Sequence, residues 1–91
     1  MTTRFYYTYV LRSLRDGKLY IGSTGDLKKR LREHQRGGNT STARRLPFEL
    51  AFYEAFSTQL DVQRRERYFK TSKGKTTLRQ MLKEYLRGAA E

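Results

Sequence analysis

Tyr9, Tyr20, Arg30, His34 and Glu66 are the residues with which this chain could hydrolyse a phosphodiester. A phenol can handle a proton, an imidazole can assist the transfer, a guanidinium can neutralise developing oxyanion charge, and a carboxylate can hold a divalent ion. Taken singly, each has a plainer explanation. Strands enrich tyrosine, helix arginines are usually solvated, interior histidines are usually satisfied, and Glu66 could pair with a neighbour such as Arg65. The chemical reading requires that separate elements bring all five to one place.

Those elements can be traced along the chain. Phe5 to Leu14 is rich in aromatic and branched residues, Asp16-Gly17 is a turn signal, and Lys18 to Ser23 resumes the alternation, which predicts a β-hairpin. A two-residue loop at Asp16-Gly17 makes paired positions sum to 33 and sets Leu11 opposite Gly22. Tyr9 and Tyr20 then share a face but sit about four residues, or roughly 13 Å, apart along the strands. Registers summing to 31 or 29 keep that shared face and shorten the gap, because side-chain direction has a period of two.

Asp26 is placed to cap a helix through about Arg36, stopped by Gly37-Gly38-Asn39. Leu27, Leu31 and His34 form its apolar stripe, with Arg30 on the border. After a polar, basic loop at Asn39–Arg45 and an entry at Pro47, Leu50 to Phe56 reads as a third strand. Ser57 or Thr58 can cap a helix from about Gln59 to Thr71, whose stripe is Val62, Glu66 and Phe69. An inward-facing carboxylate is costly unless paired, protonated or metal-bound, so Glu66 needs a partner. Lys73-Gly74-Lys75 reads as a break, after which Thr76 or Thr77 caps a last helix to about Leu86, packing through Leu78, Met81, Leu82 and Tyr85. Residues 88–91 read as a frayed tail.

The order β-β-α-β-α-α predicts an α+β fold, a small three-stranded antiparallel sheet flanked by helices. Residues 1–91 suit one domain with one small core. The chain carries 20 Lys plus Arg against nine Asp plus Glu, a formal charge of +11, which favours a nucleic-acid partner. There is no cysteine, hence no disulfide or thiolate cluster, and no long apolar run for a membrane span. A cytoplasmic location is expected.

Tyr20-Ile21-Gly22, Arg30-x-x-x-His34, and Tyr9 standing 11 residues before Tyr20 resemble the GIY-YIG nuclease family. Tyr7-Thr8-Tyr9-Val10-Leu11, Lys18-Leu19-Tyr20-Ile21-Gly22, the stretch from Arg45 to Tyr53 and the Glu66 helix look like the small stand-alone bacterial members. The resemblance spans essentially the whole chain and implies DNA cleavage with one bound divalent ion, Mg²⁺ or Mn²⁺. By matching positions, the resemblance makes Tyr9 the general base or water-orienting group, Tyr20 an orienter of water or phosphate, Arg30 the neutraliser of the phosphate, His34 an aid to proton transfer or a ligand of a phosphate oxygen, and Glu66 the metal ligand. Gly22 permits close backbone approach.

Two departures stand out. Tyr7 replaces the glycine of the family's first motif, narrowing the site or joining it. The asparagine that many members place after the glutamate helix is absent, and Thr71-Ser72-Lys73-Gly74-Lys75 occupies that region, so its assistance is either missing or supplied by Ser72 or Lys73. Lys29, Arg44, Arg45, Arg64, Arg65, Lys70, Lys73 and Lys75 are candidate backbone contacts that add salt dependence rather than sequence specificity. The expected function is a metal-dependent endonuclease on DNA, at branched, nicked or single-stranded structures in repair or recombination. The rival expectation is a non-catalytic nucleic-acid-binding module, or an adaptor docking a larger repair partner.

Overall fold

The computed structural model describes residues 4–38 and 43–90. Strand β1 (Tyr6–Ser13) lies between β2 (Leu19–Thr24) and β3 (Phe48–Phe56), and both pairings are antiparallel. Its central position explains its burial: Thr8, Tyr9, Val10, Leu11 and Ser13 are all closed off from solvent. Alternation splits these residues between two faces. Tyr9 and Leu11 meet Phe48 on one side, where Tyr20, Leu27, Leu31 and Leu50 pack around them. Val10 and Ile21 meet Phe69, Leu78 and Leu82 on the other.

The first face is covered by α1 (Leu27–Gln35), whose Asp26 cap accepts a hydrogen bond from the Lys29 amide. Gly37, with φ of +74°, turns the chain away after the helix. The opposite face carries α2 (Gln59–Phe69), capped by Thr58, then α3 (Ser72–Met81) and α4 (Lys83–Ala90). Thr8 fixes α2 to the sheet by donating its hydroxyl to the Val62 carbonyl at 3.2 Å. Residues 39–42 of the basic loop lie outside the described residues, while Ala43–Arg45 form a short 3-10 turn.

The hairpin register differs from the two-residue-loop expectation. Tyr9 pairs with Gly22 and Leu11 with Tyr20, so positions sum to 31 and the loop holds four residues, Leu14 to Gly17. Ser13 is responsible. Its buried hydroxyl donates to the Arg45 carbonyl and accepts from the amides of Arg15 and Asp16, so a wider loop closes with its polar groups satisfied. Gly17, at φ +76°, completes the turn. The third strand also begins earlier than expected, at Phe48.

The Lys73-Gly74-Lys75 break is corrected as well. Thr71 caps α3, accepting from the Gly74 amide, and Gly74 lies inside the helix. This glycine is there for packing: a Cβ at position 74 would fall 1.7 Å from the Tyr68 carbonyl oxygen. Its absence lets α3 seat tightly against the end of α2. Gly74→Ala should therefore destabilise the fold by about 3 kcal/mol, the upper range for overpacking, as read by chemical denaturation. Leu78 and Leu82 are buried as expected, but Met81 is 43% exposed because a separate helix begins at Lys83. That helix includes residues 88–90.

Candidate active site

The 31-sum register brings the two tyrosines within ring contact. The Tyr9 and Tyr20 centroids are 6.5 Å apart, and His34 lies 5.8 Å from the first and 5.3 Å from the second. The helical stripe of α1 delivers His34 to this cluster, where its Nε2 is 2.9 Å from the Tyr9 hydroxyl. Both side chains are fully buried.

Gly22 makes the arrangement possible. It sits opposite Tyr9, and a Cβ there would lie 2.5 Å from the phenol oxygen and 2.6 Å from Cζ. The Tyr9 ring thus lies across β2 in the space a side chain would fill, carrying its hydroxyl towards the sheet's edge. The close approach expected at Gly22 is that of a tyrosine.

Arg30 extends from α1 to that edge, donating through Nε to Glu33 at 3.1 Å and lying against the phenol. Burial pushes the Tyr9 phenol up to about 12; Arg30 pulls it down, but Tyr20 and the Glu66 charge add to the rise. Burial, reinforced by Arg30, holds His34 below its ordinary range despite Glu33. At neutral pH the pair is therefore phenol and neutral imidazole, hydrogen-bonded through Nε2.

Glu66 approaches from the other face, on α2. The alternation that directs Tyr20 and Gly22 towards α1 turns Ser23 towards α2, and its hydroxyl donates to Glu66 Oε1. Lys70, one helical turn on, donates to Oε2 at 2.8 Å. Burial works to raise the Glu66 pKa, but Lys70, Ser23 and Arg30 outweigh it, so it lies below the usual carboxylate range. The half-sheltered carboxylate is ionised. A cavity of roughly 260 Å³ at the β2 edge is lined by Ser23, Gly25, Arg30, Gln63 and Arg4 among others. Two layers of the fold meet there.

The donor set suits a hard divalent ion in the manner of magnesium sites, which take one or two carboxylates and fill the remaining positions with water and substrate phosphate. Glu66 supplies the carboxylate and Ser23 a neighbouring hydroxyl. Among the described residues no group of three or more acidic, histidine or cysteine side chains is placed to hold a metal ion, so water and substrate oxygens would complete the coordination around Glu66.

The remaining candidates separate by position. Tyr7 shares the α1 face but points beyond the cluster, its ring 6.1 Å from Tyr53. Lys70 enters the site through Glu66. Lys29, Lys73 and Arg44 are exposed. Ser72 and Lys73 occupy the first turn of α3. Lys75 borders an apolar groove with Lys18 and Arg79 alongside β2. Arg45 is partly covered, 3.6 Å from Asp16 and stacked near Phe48. Arg64 and Arg65 lie with Phe56 and Tyr68 away from the β2 edge, and both are ion-paired, to Asp61 and Glu54. Arg65 thus pairs with Glu54 rather than Glu66. Ser23 was missed from sequence, although its place after Gly22 put it on the α2 side.

Comparison with known proteins decides the family. The model of the GIY-YIG catalytic domain matches residues 5–80. The chain belongs to the GIY-YIG family. It is similar to a UPF0213 protein of Bacillus licheniformis, 46% identical over 77% of this chain and 72% of that protein. A UPF0213 protein of Streptococcus pyogenes serotype M3 is 45% identical over 80% of this chain and 79% of its own. The solution NMR structure of a UPF0213 protein from Bacillus halodurans is similar with a TM-score of 0.53 and 31% identity, covering 85% of this chain and 84% of that one. GIY-YIG proteins constitute a nuclease family, generally dependent on divalent metal. No helix among the described residues is long and apolar enough to cross a membrane.

Proposed function

We propose that this protein is a metal-dependent endonuclease that hydrolyses DNA phosphodiesters at the β2 edge. The observation that carries this reading is the convergence of Tyr9, Tyr20, His34 and Arg30 from one face with an ionised Glu66 from the other. A bound Mg²⁺ or Mn²⁺ would polarise the phosphate and its attacking water.

The chain's own residues then divide the work. Arg30, part-exposed and at the cavity wall, neutralises charge on the scissile phosphate. Tyr20 orients water or phosphate. Tyr9 has too high a pKa to act as a free base near neutrality, but its hydroxyl proton can pass to His34 Nε2, 2.9 Å away, when the ring carries its own hydrogen on Nδ1. Transfer of that proton to neutral His34 would leave a phenolate able to accept one from water, with Arg30 compensating the charge. Glu66, now paired with Lys70 and Ser23, would hold the metal on exchanging the Lys70 contact for it. The surplus of cations supports nucleic acid as the partner; DNA, in a cytoplasmic repair or recombination setting, is the substrate this reading takes from the family resemblance.

The test is cleavage of supercoiled plasmid and of flap DNA with Mg²⁺ or Mn²⁺ by wild type, Arg30→Ala and Glu66→Ala. Each variant should lose about 100-fold or more, the usual loss when a charge-stabilising group is removed. Equal cleavage by wild type and Glu66→Ala would mark a contaminant and sink the proposal. Salt-sensitive binding without turnover by wild type would favour the non-catalytic module instead.

A further inference from the structure

Next to the catalytic cluster, the α1 face of the sheet is left uncovered. Tyr53 pairs directly across from Tyr9, yet Tyr9 is fully buried and Tyr53 is 52% exposed. The difference arises because α1 begins at Leu27 and shields the half of the face containing Leu11 and Leu50. Tyr7 and Tyr53 remain as a tilted pair, centroids 6.1 Å apart at an interplanar angle of 60°. With Gly25, Asp26, Leu27 and Lys28 they wall a hollow of about 310 Å³.

Proximity to the active site suggests the occupant. Gly25 lines both this hollow and the Arg30 cavity, so the two are neighbours at the end of β2. The rim carries Lys28 and the Asp26 carboxylate that caps α1 by accepting from the Lys29 amide, and the exposed Lys29 follows, which with Arg30 and Arg4 in the adjoining cavity leaves cations in excess. Flat aromatic surface beside a cationic phosphate-sized cavity matches a nucleotide strand, whose phosphates favour the cations and whose bases stack on rings. An isolated exposed tyrosine on a strand would be unremarkable. This pair is placed one strand away from the proposed chemistry.

We infer that Tyr53, supported by Tyr7, is a stacking platform for an unpaired base adjoining the phosphate held at Arg30. The inference rests on the nuclease reading for its choice of ligand. It also deepens that reading, because a base can reach the platform only where the substrate strand is unstacked. Tyr7 thereby acquires a role at the position where the family's first motif carries glycine.

Binding can be measured separately from cleavage, by fluorescence anisotropy in EDTA. The probes are an oligothymidylate of about 12 units and an abasic phosphodiester chain of equal length, which match in charge but differ in bases. Wild type should bind the oligothymidylate about tenfold more tightly than the abasic chain, a factor reasonable for one good stack. Tyr53→Ala should lose most of that preference, Tyr53→Trp should keep it, and all three should bind the abasic chain alike. Equal wild-type affinity for the two chains would overturn the inference, as would full preference in Tyr53→Ala or its loss in Tyr53→Trp. Failure here with metal-dependent cleavage intact removes only the platform; base preference without cleavage removes only the catalytic proposal.

Discussion

Gly22→Ala should disable cleavage by about 100-fold or more while leaving the sheet assembled. The added Cβ would lie 2.5 Å from the Tyr9 hydroxyl oxygen and 2.6 Å from Cζ, distances that force the ring to move. Because Tyr9 is fully buried against His34 and Tyr20, the ring cannot simply swing into solvent. Displacement of about 1 Å is enough to cost two orders of magnitude where reacting groups must be aligned. The stability cost should be about 1–3 kcal/mol, the usual range for a methyl forced into a packed site. Far-UV circular dichroism and urea denaturation would separate the two effects.

A double-mutant comparison sharpens the point. Tyr9→Phe removes the hydroxyl that faces His34 and should itself lose most activity. If Gly22 acts only by seating that phenol, adding Gly22→Ala to Tyr9→Phe should cost little further activity, although the Cζ clash will still cost stability. Additive losses in activity would mean that Gly22 serves the site by some other route. The glycine of Tyr20-Ile21-Gly22 would then have to be explained by the edge of β2 itself.

What the sequence disclosed follows from which interactions are periodic. Side-chain alternation placed Tyr9 and Tyr20 on one face, and the 3.6-residue stripe placed His34 inward and Arg30 at the border; both patterns survive in the structure. Glu66 likewise lies on the stripe of Val62 and Phe69, part-sheltered as its position required. The hairpin register was not legible, because it is set by the Ser13 hydroxyl bonding to Arg45, a residue far away in the chain. Gly74 misled for a related reason. A glycine in a polar tripeptide looks like a helix break, whereas its purpose is the approach of α3 to the Tyr68 carbonyl, a contact that no local propensity encodes. The Ser23 contact with Glu66 combines both problems: its face was readable, but its partner depended on how α2 crosses β2.

Acidification should weaken both catalysis and the fold through His34. Groups facing the imidazole include the Tyr9 hydroxyl from β1, the Tyr20 ring from β2, the Phe48 ring from β3, and Arg30 and Glu33 on its own helix. Protonation would set a second cation near Arg30 and leave Nε2 only a donor towards the phenol oxygen. Burial first, and then Arg30, therefore depress the folded-state pKa below the unfolded value of about 6.5. Between these two values the unfolded chain binds the proton and the folded chain does not. The stability owed to neutral His34 is thus complete above about 6.5 and is lost as pH falls through the folded pKa, at up to about 1.4 kcal/mol per pH unit. His34→Gln retains an acceptor but cannot titrate, so its urea-unfolding free energy should lack this acid-side component, while His34→Ala should be weaker at every pH by about 1–3 kcal/mol for the stranded Tyr9 hydroxyl. Cleavage by wild type should decline over the same acid window, since the protonated ring can no longer receive the Tyr9 proton. An acid limb unchanged in His34→Gln would assign the titration to another group and remove His34 from the proton path.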